Sequence, residues 1–141
     1  MAAINGSVLA LDVGSKRIGI AAASLAARLP HPLETLQNDD TFFEKLEALI
    51  RQEDAVQLVV GLPRGLQGQQ TGQTTFTEEF VTQLRENISL PIDYQDEAVT
   101  SEKAEAELRA RGGNYEKSDV DALAATYILD DWLADHPGET G

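Results

Sequence analysis

The sequence predicts an α/β fold with a five-stranded mixed sheet, a three-strand antiparallel meander plus two parallel strands, and helices on both faces. Three observations carry this. Three short apolar runs come first, beginning at Val8, Arg17 and Arg28. Helical and strand-like periods then alternate to the end, the pattern of parallel strands joined by helices. The chain has 141 residues, with no linker and no repeat, so residues 1-141 are expected to form a single domain.

Val8 to Asp12 reads as a short buried strand, and Arg17 to Ser24 as its hairpin partner through Val13 to Lys16. Arg28 to Leu36 reads as a third strand. Pro30 and Pro32 place it at a sheet edge, because proline cannot donate to a ladder. Asp39 to Arg51 is expected to be helical, since Phe42, Phe43, Leu46, Leu49 and Ile50 recur at helical spacing. Gln57 to Val60 is a compact apolar strand ended by Gly61-Leu62-Pro63. Residues 64 to 73, with Arg64 and several glycines and glutamines, read as a polar loop. A helix over Gln73 to Asn87, a strand over Pro91 to Gln95 and a helix over Thr100 to Arg111 follow. Gly112-Gly113 stops that helix, and Ser118 to Ala134 forms the last one.

Composition excludes several classes of function. The formal net charge is -13, which opposes loose binding to nucleic acid or anionic membrane but leaves room for a local basic rim. Lys16, Arg17, Arg64, Arg109, Arg111 and Lys117 lie in or near predicted loops, while acids such as Glu102, Glu105 and Glu107 fall on a helix face that reads as solvated. The chain has no cysteine, so disulfides and thiolate metal sites are excluded. The start carries no basic-then-apolar leader, and no apolar run is long enough to span a membrane. A cytoplasmic protein without a membrane partner is the expectation.

An unpaired carboxylate at the end of a buried strand is costly, and Asp12 closes the first strand. In sheets of this kind ligands sit beyond the carboxyl ends of the parallel strands. Asp12, Gly61-Leu62-Pro63 and Asp96-Glu97 all fall there. Asp121, in the first turn of the last helix, shares an apolar stripe with Ala125, Ile128 and Trp132, whereas Asp119 points elsewhere with Leu123, Thr126 and Asp130. The loop from Gly112 to Lys117 is long enough to bring the chain back to that edge. Each acid taken alone has a simpler role: an Asx turn for Asp12, a capping box over Ser118-Asp119-Val120-Asp121, and a solvated loop acid for Glu97. Together they suit a hard divalent cation, Mg²⁺ or Mn²⁺, and the hydrolysis of a phosphodiester. His31, between prolines, and His136, near the C-terminus, are expected to face solvent and offer no base for a serine triad.

The residues Leu11-Asp12-Val13-Gly14-Ser15-Lys16-Arg17-Ile18-Gly19, Val59-Val60-Gly61-Leu62-Pro63, Tyr94-Gln95-Asp96-Glu97, Thr100-Ser101-Glu102-Lys103-Ala104 and Val120-Asp121-Ala122-Leu123-Ala124-Ala125 occur in that order. With them the chain resembles, nearly end to end, the YqgF/RuvX family of RNase H-like nucleases. The resemblance implies an RNase H-like sheet and an acidic metal site of Asp12, Glu97 and Asp121. It implies a nucleic-acid partner, with Ser15, Lys16, Arg17 and Arg64 as contacts to the phosphate backbone. The family is linked to 5′-end maturation of the small-subunit (16S) ribosomal RNA precursor and is also named for Holliday junction resolution. The RNA role is the favoured expectation, branched DNA the alternative, and a homodimer stays open. Two departures stand out. Ala98 occupies the place of the family's arginine after Asp-Glu, and Arg64-Gly65-Leu66-Gln67-Gly68 replaces an Asn-Met-Asp-Gly type of stretch, so Arg64 is the candidate to supply the missing cation. Two other classes compete with the nuclease. An Asp-x-Gly-Ser hairpin also cradles ATP phosphates in the actin and sugar-kinase group, although those proteins need a second lobe. A non-catalytic RNA-binding module of ribosome biogenesis is the third reading.

Overall fold

The sheet grows outward from its most apolar strand. β1 (Ser7–Val13) is central and almost wholly buried. It pairs antiparallel with β2 (Arg17–Ser24), which pairs antiparallel with β3 (His31–Gln37). On its other side β1 pairs parallel with β4 (Ala55–Pro63), and β4 with β5 (Ile92–Glu97), giving the order β3-β2-β1-β4-β5. Helices α1 (Phe42–Glu53) and α2 (Gly72–Asn87) connect β3 to β4 and β4 to β5, and α3 (Lys117–Asp135) closes the chain. The structure is a computed structural model that describes residues 6–63, 70–97, 106–111 and 117–137; the side chains of Glu97, Lys117 and Ser118 lie outside that description. So do Arg64, Ala98, the glycines at 112 and 113 and the first half of the expected helix over Thr100 to Arg111, of which 106–110 are helical.

Strand alternation sends side chains to two faces. Leu9, Leu11, Ile18, Ile20, Leu58 and Val60 meet Phe42, Leu46, Phe80 and Leu84 of α1 and α2 in one core. The Phe42 and Phe80 rings lie edge to face at 5.5 Å. Val8, Ala10, Ala21, Ala23 and Val59 meet Ala125, Ile128, Leu129 and Trp132 of α3 in a second. The expected stripe of Asp121, Ala125, Ile128 and Trp132 is thus the face of α3 that packs on the sheet.

Several element ends differ from expectation, each for a local reason. α1 begins at Phe42 rather than Asp39, because the Asp39 carboxylate accepts hydrogen bonds from the Thr41 amide (2.9 Å) and hydroxyl (2.6 Å) and forms a turn instead. β3 begins at His31 rather than Arg28, whose backbone is left-handed with φ 57°. Pro32 lies within β3, at the point where the pairing with β2 slips register and no amide is needed. β4 runs on to Pro63 and β5 to Glu97, so Asp96 and Glu97 belong to the strand, paired with Leu62 and Pro63, rather than to a loop after it. α2 starts on a capping box of Thr71 and Thr74, and the buried Thr74 hydroxyl also donates to the Pro63 carbonyl, tying the helix start to the end of β4. The helical segment near residue 107 carries an Arg111–Glu107 pair at 2.7 Å, one turn apart.

Candidate functional site

Asp12 is the next-to-last residue of β1 and continues the series Val8, Ala10, so it faces α3. Its antiparallel partner is Gly19 on β2. That glycine decides the geometry. A Cβ built at position 19 would stand 2.0 Å from the Asp121 carbonyl oxygen, so the first turns of α3 lie directly on the strand there. A glycine inside a strand marks such a close approach of another backbone. The missing side chain lets the helix bring Asp121 over the strand pair that carries Asp12.

Electrostatics follow from this placement. Asp12 is partly buried, and among the described residues no group donates a hydrogen bond to its carboxylate. Its pKa is raised from 3.8 to about 7, first by burial and then by the charge of Asp121. Asp121 has a partner: Arg17 Nε donates to its Oδ2 at 2.9 Å, with the two side chains 29% and 22% exposed. The cation of the hairpin motif therefore serves the distant acid rather than its neighbour on the sheet.

The hairpin that carries Ser15, Lys16 and Arg17 is held from three sides. The Gly14 amide donates to the Arg17 carbonyl at 3.0 Å, closing the turn. A Cβ at Gly14 would lie 2.7 Å from that carbonyl oxygen. Asn38 Nδ2 donates to the Gly14 carbonyl at 2.9 Å, and the Asn38 amide to the Lys16 carbonyl at 2.9 Å. Gln73 Nε2 at the start of α2 donates to the Val13 carbonyl at 3.2 Å. Asn38 and Gln73 escape a sequence reading, because an isolated amide side chain carries no local signal. Gly19 had one, as a glycine within an apolar strand. Ser15 and Lys16 are exposed at the tip of this turn.

Of the three acids expected to share a site, the structure brings Asp12 and Asp121 together. Glu97 ends β5, two strands from β1, a backbone spacing of about 10 Å. Its side chain and Arg64 lie outside the described residues. Among the described residues no three His, Cys, Asp or Glu side chains stand in one cluster. The donors present fit a hard divalent cation nonetheless. They are carboxylate oxygens, they stand at the carboxyl end of the central strand, and one, on Asp12, is half-buried and accepts from no described residue, a state that a nearby dication would stabilise. His31 and His136 are exposed as expected, although His136 stacks on Trp132 with ring centroids 4.3 Å apart.

Comparisons with known proteins agree with this architecture. The model of the RuvX family, described as Holliday junction resolvase, matches residues 6–135. A protein of Sulfurihydrogenibium sp. named "Putative pre-16S rRNA nuclease" is 37% identical over 128 residues, covering 89% of this chain and 88% of its own length. A protein of the same name from Crocosphaera subtropica is 37% identical over 131 residues, covering 90% and 92%. Among solved structures, Thermus thermophilus RuvC in complex with a Holliday junction substrate superposes with a TM-score of 0.53 at 12% identity, covering 94% of this chain and 97% of that one. At that identity the likeness concerns the fold, which is RNase H-like with the five-stranded mixed sheet described above. Among the described residues no helix is long and apolar enough to cross a membrane.

Proposed function

The chain belongs to the RuvX family, and on that premise we propose that it is a metal-dependent endonuclease acting on structured nucleic acid in the cytoplasm, with 5′-end maturation of the 16S ribosomal RNA precursor as its task. The single observation that carries the reading is the half-buried Asp12 carboxylate, to which no described residue donates, facing Asp121 across Gly19 at the carboxyl end of the central strand. The names of the relatives favour the RNA substrate, and the family description keeps four-way DNA as the alternative.

Asp12 and Asp121, with Glu97 from the end of β5, are the residues that would hold Mg²⁺ or Mn²⁺. Such an ion supplies Lewis-acid chemistry, lowering the pKa of a bound water and stabilising the leaving oxygen. The chain's own residues do the rest. Burial holds Asp12 poised near neutrality, so its carboxylate is ready either to receive a cation or to carry a proton. The hairpin, locked by Asn38 and Gln73, presents Ser15 and Lys16 outward toward a phosphate backbone. Arg17, and Arg64 beyond the end of β4, add cationic contacts in a chain whose net charge of -13 repels nucleic acid elsewhere.

The test incubates wild type and Asp12→Asn with ribosomal RNA precursor and with a four-way DNA junction, with and without Mn²⁺, and maps the ends. Mn²⁺-dependent cuts near the 16S 5′ end, reduced more than about a hundredfold in Asp12→Asn, are expected, since even a metal's outer partners cost 10–100-fold. Cleavage retained in Asp12→Asn sinks the proposal. Cleavage of the junction alone transfers it to DNA.

A further inference from the structure

Arg17 occupies a position that one bond does not fully explain. It lies on β2 two residues from Gly19, the partner of Asp12, and is therefore the diagonal neighbour of Asp12 on the same sheet face, about 7–8 Å away. Its described bond goes instead to Asp121, through Nε at 2.9 Å. Among the described residues its two terminal nitrogens donate to nothing, although a guanidinium carries five N–H donors in a planar fork. At 29% exposure it also has room to swing.

We infer that Arg17 is a displaceable counter-ion of the acid pair. In the metal-free protein its guanidinium neutralises Asp121 and leaves Asp12 as the uncompensated acid. When the two carboxylates hold a divalent cation, Arg17 gives up the Asp121 oxygen and turns its planar fork to a phosphate, the anion whose geometry it matches. Arg17 and the cation then compete for one carboxylate, and by reciprocity occupancy of the site favours engagement of the nucleic-acid backbone. The Arg17–Asp121 bond is a latch linking two binding events, not a strut. This rests on the reading that Asp12 and Asp121 hold the cation.

The discriminating measurement is Mn²⁺ affinity without nucleic acid, read from the electron paramagnetic resonance of free Mn²⁺, for wild type, Arg17→Gln, Arg17→Met and Asp12→Asn. A latch predicts tighter Mn²⁺ binding when Arg17 is neutralised, by about fivefold or more, the low end of ordinary coupling between sites. A strut predicts weaker binding, because α3 would loosen over the strand. A second readout needs no variant. The Arg17 Nε–H resonance of the wild type, protected by Asp121, should lose its protection on adding Mg²⁺; a resonance that stays protected at saturating Mg²⁺ overturns the latch. Mn²⁺ binding that survives Asp12→Asn overturns the metal-site reading itself. Binding that is lost in Asp12→Asn but unchanged or weakened by both Arg17 substitutions overturns the latch alone. No Mn²⁺ binding by wild type or the Arg17 variants overturns both.

Discussion

On one face of the sheet Leu9, Leu11, Ile18 and Ile20 interlock with Phe42, Leu46 and Phe80; on the other, Ala10, Gly19, Ala21 and Gly61 lie under Asp121, Ala125 and Ile128. The first face is filled by large branched and aromatic side chains, each contributing roughly 1.5–3 kcal/mol on burial. On the second, the strand positions directly under these helix residues carry little or no side chain, although Val8 and Val59 flank them. At Gly61 a Cβ would stand 2.3 Å from the Ile128 Cδ1, as at Gly19 it would meet the Asp121 carbonyl. One face stores stability. The other gives up apolar bulk so that a helix can seat an acid beside an acid, which is unfavourable until something cationic joins them. Separating the two tasks by face lets the site carry that cost without weakening the main core.

The largest expected effect that tests this division is on the bulky side. Phe42→Ala should cost about 3–5 kcal/mol, the usual range for an aromatic core truncation, read from urea unfolding. Cleavage per folded molecule should be unchanged; a proportionate loss of specific activity would show that the faces are not independent. Next comes the small-residue side. Gly19→Ala forces a Cβ into the α3 backbone, and overpacking of this kind costs about 1–3 kcal/mol. Here stability and cleavage should fall together, because the helix must lift and take Asp121 with it. A Gly19→Ala protein with full activity would break the comparison.

The third effect is of similar size to the second and has the opposite sign. In the unfolded chain Asp12 titrates near its ordinary 3.8, and in the folded protein near 7. Between those values the folded state keeps a proton that the unfolded state has lost. Stability contributed by this group therefore falls as pH rises from about 4 to about 7 and stays low above that. Asp12→Asn removes the penalty. With chelator present it should be the more stable protein at pH 8 by about 2 kcal/mol, the full shift being halved because the group is partly exposed. At pH 4 the two should match. Equal unfolding midpoints at pH 8 would mean that Asp12 is not held in an unfavourable charge state.

Much of this was legible in the chain. The periods of the apolar residues give the order of strands and helices. The hairpin through Val13 to Lys16 forms as expected, and the stripe from Asp121 to Trp132 faces the sheet because 3.6-residue spacing leaves it no other face to bury. Element ends were less legible. β4 and β5 each extend past their apolar runs, because two adjacent parallel strands go on pairing while partners are available. The start of α1 was lost to Asp39, whose side chain competes with the helix for the Thr41 amide.

By itself the sequence determined an α/β sheet, an acid at the end of its first strand and a second acid on an inward helix stripe, since these depend on residue spacing and on the cost of burying charge. Only the tertiary structure decided which cation meets which acid. Arg17 and Asp121 are 104 residues apart, and nothing local distinguishes that pairing from Arg17 with Asp12. A glycine at position 19 sets it, by letting one helix come to rest directly on the strand.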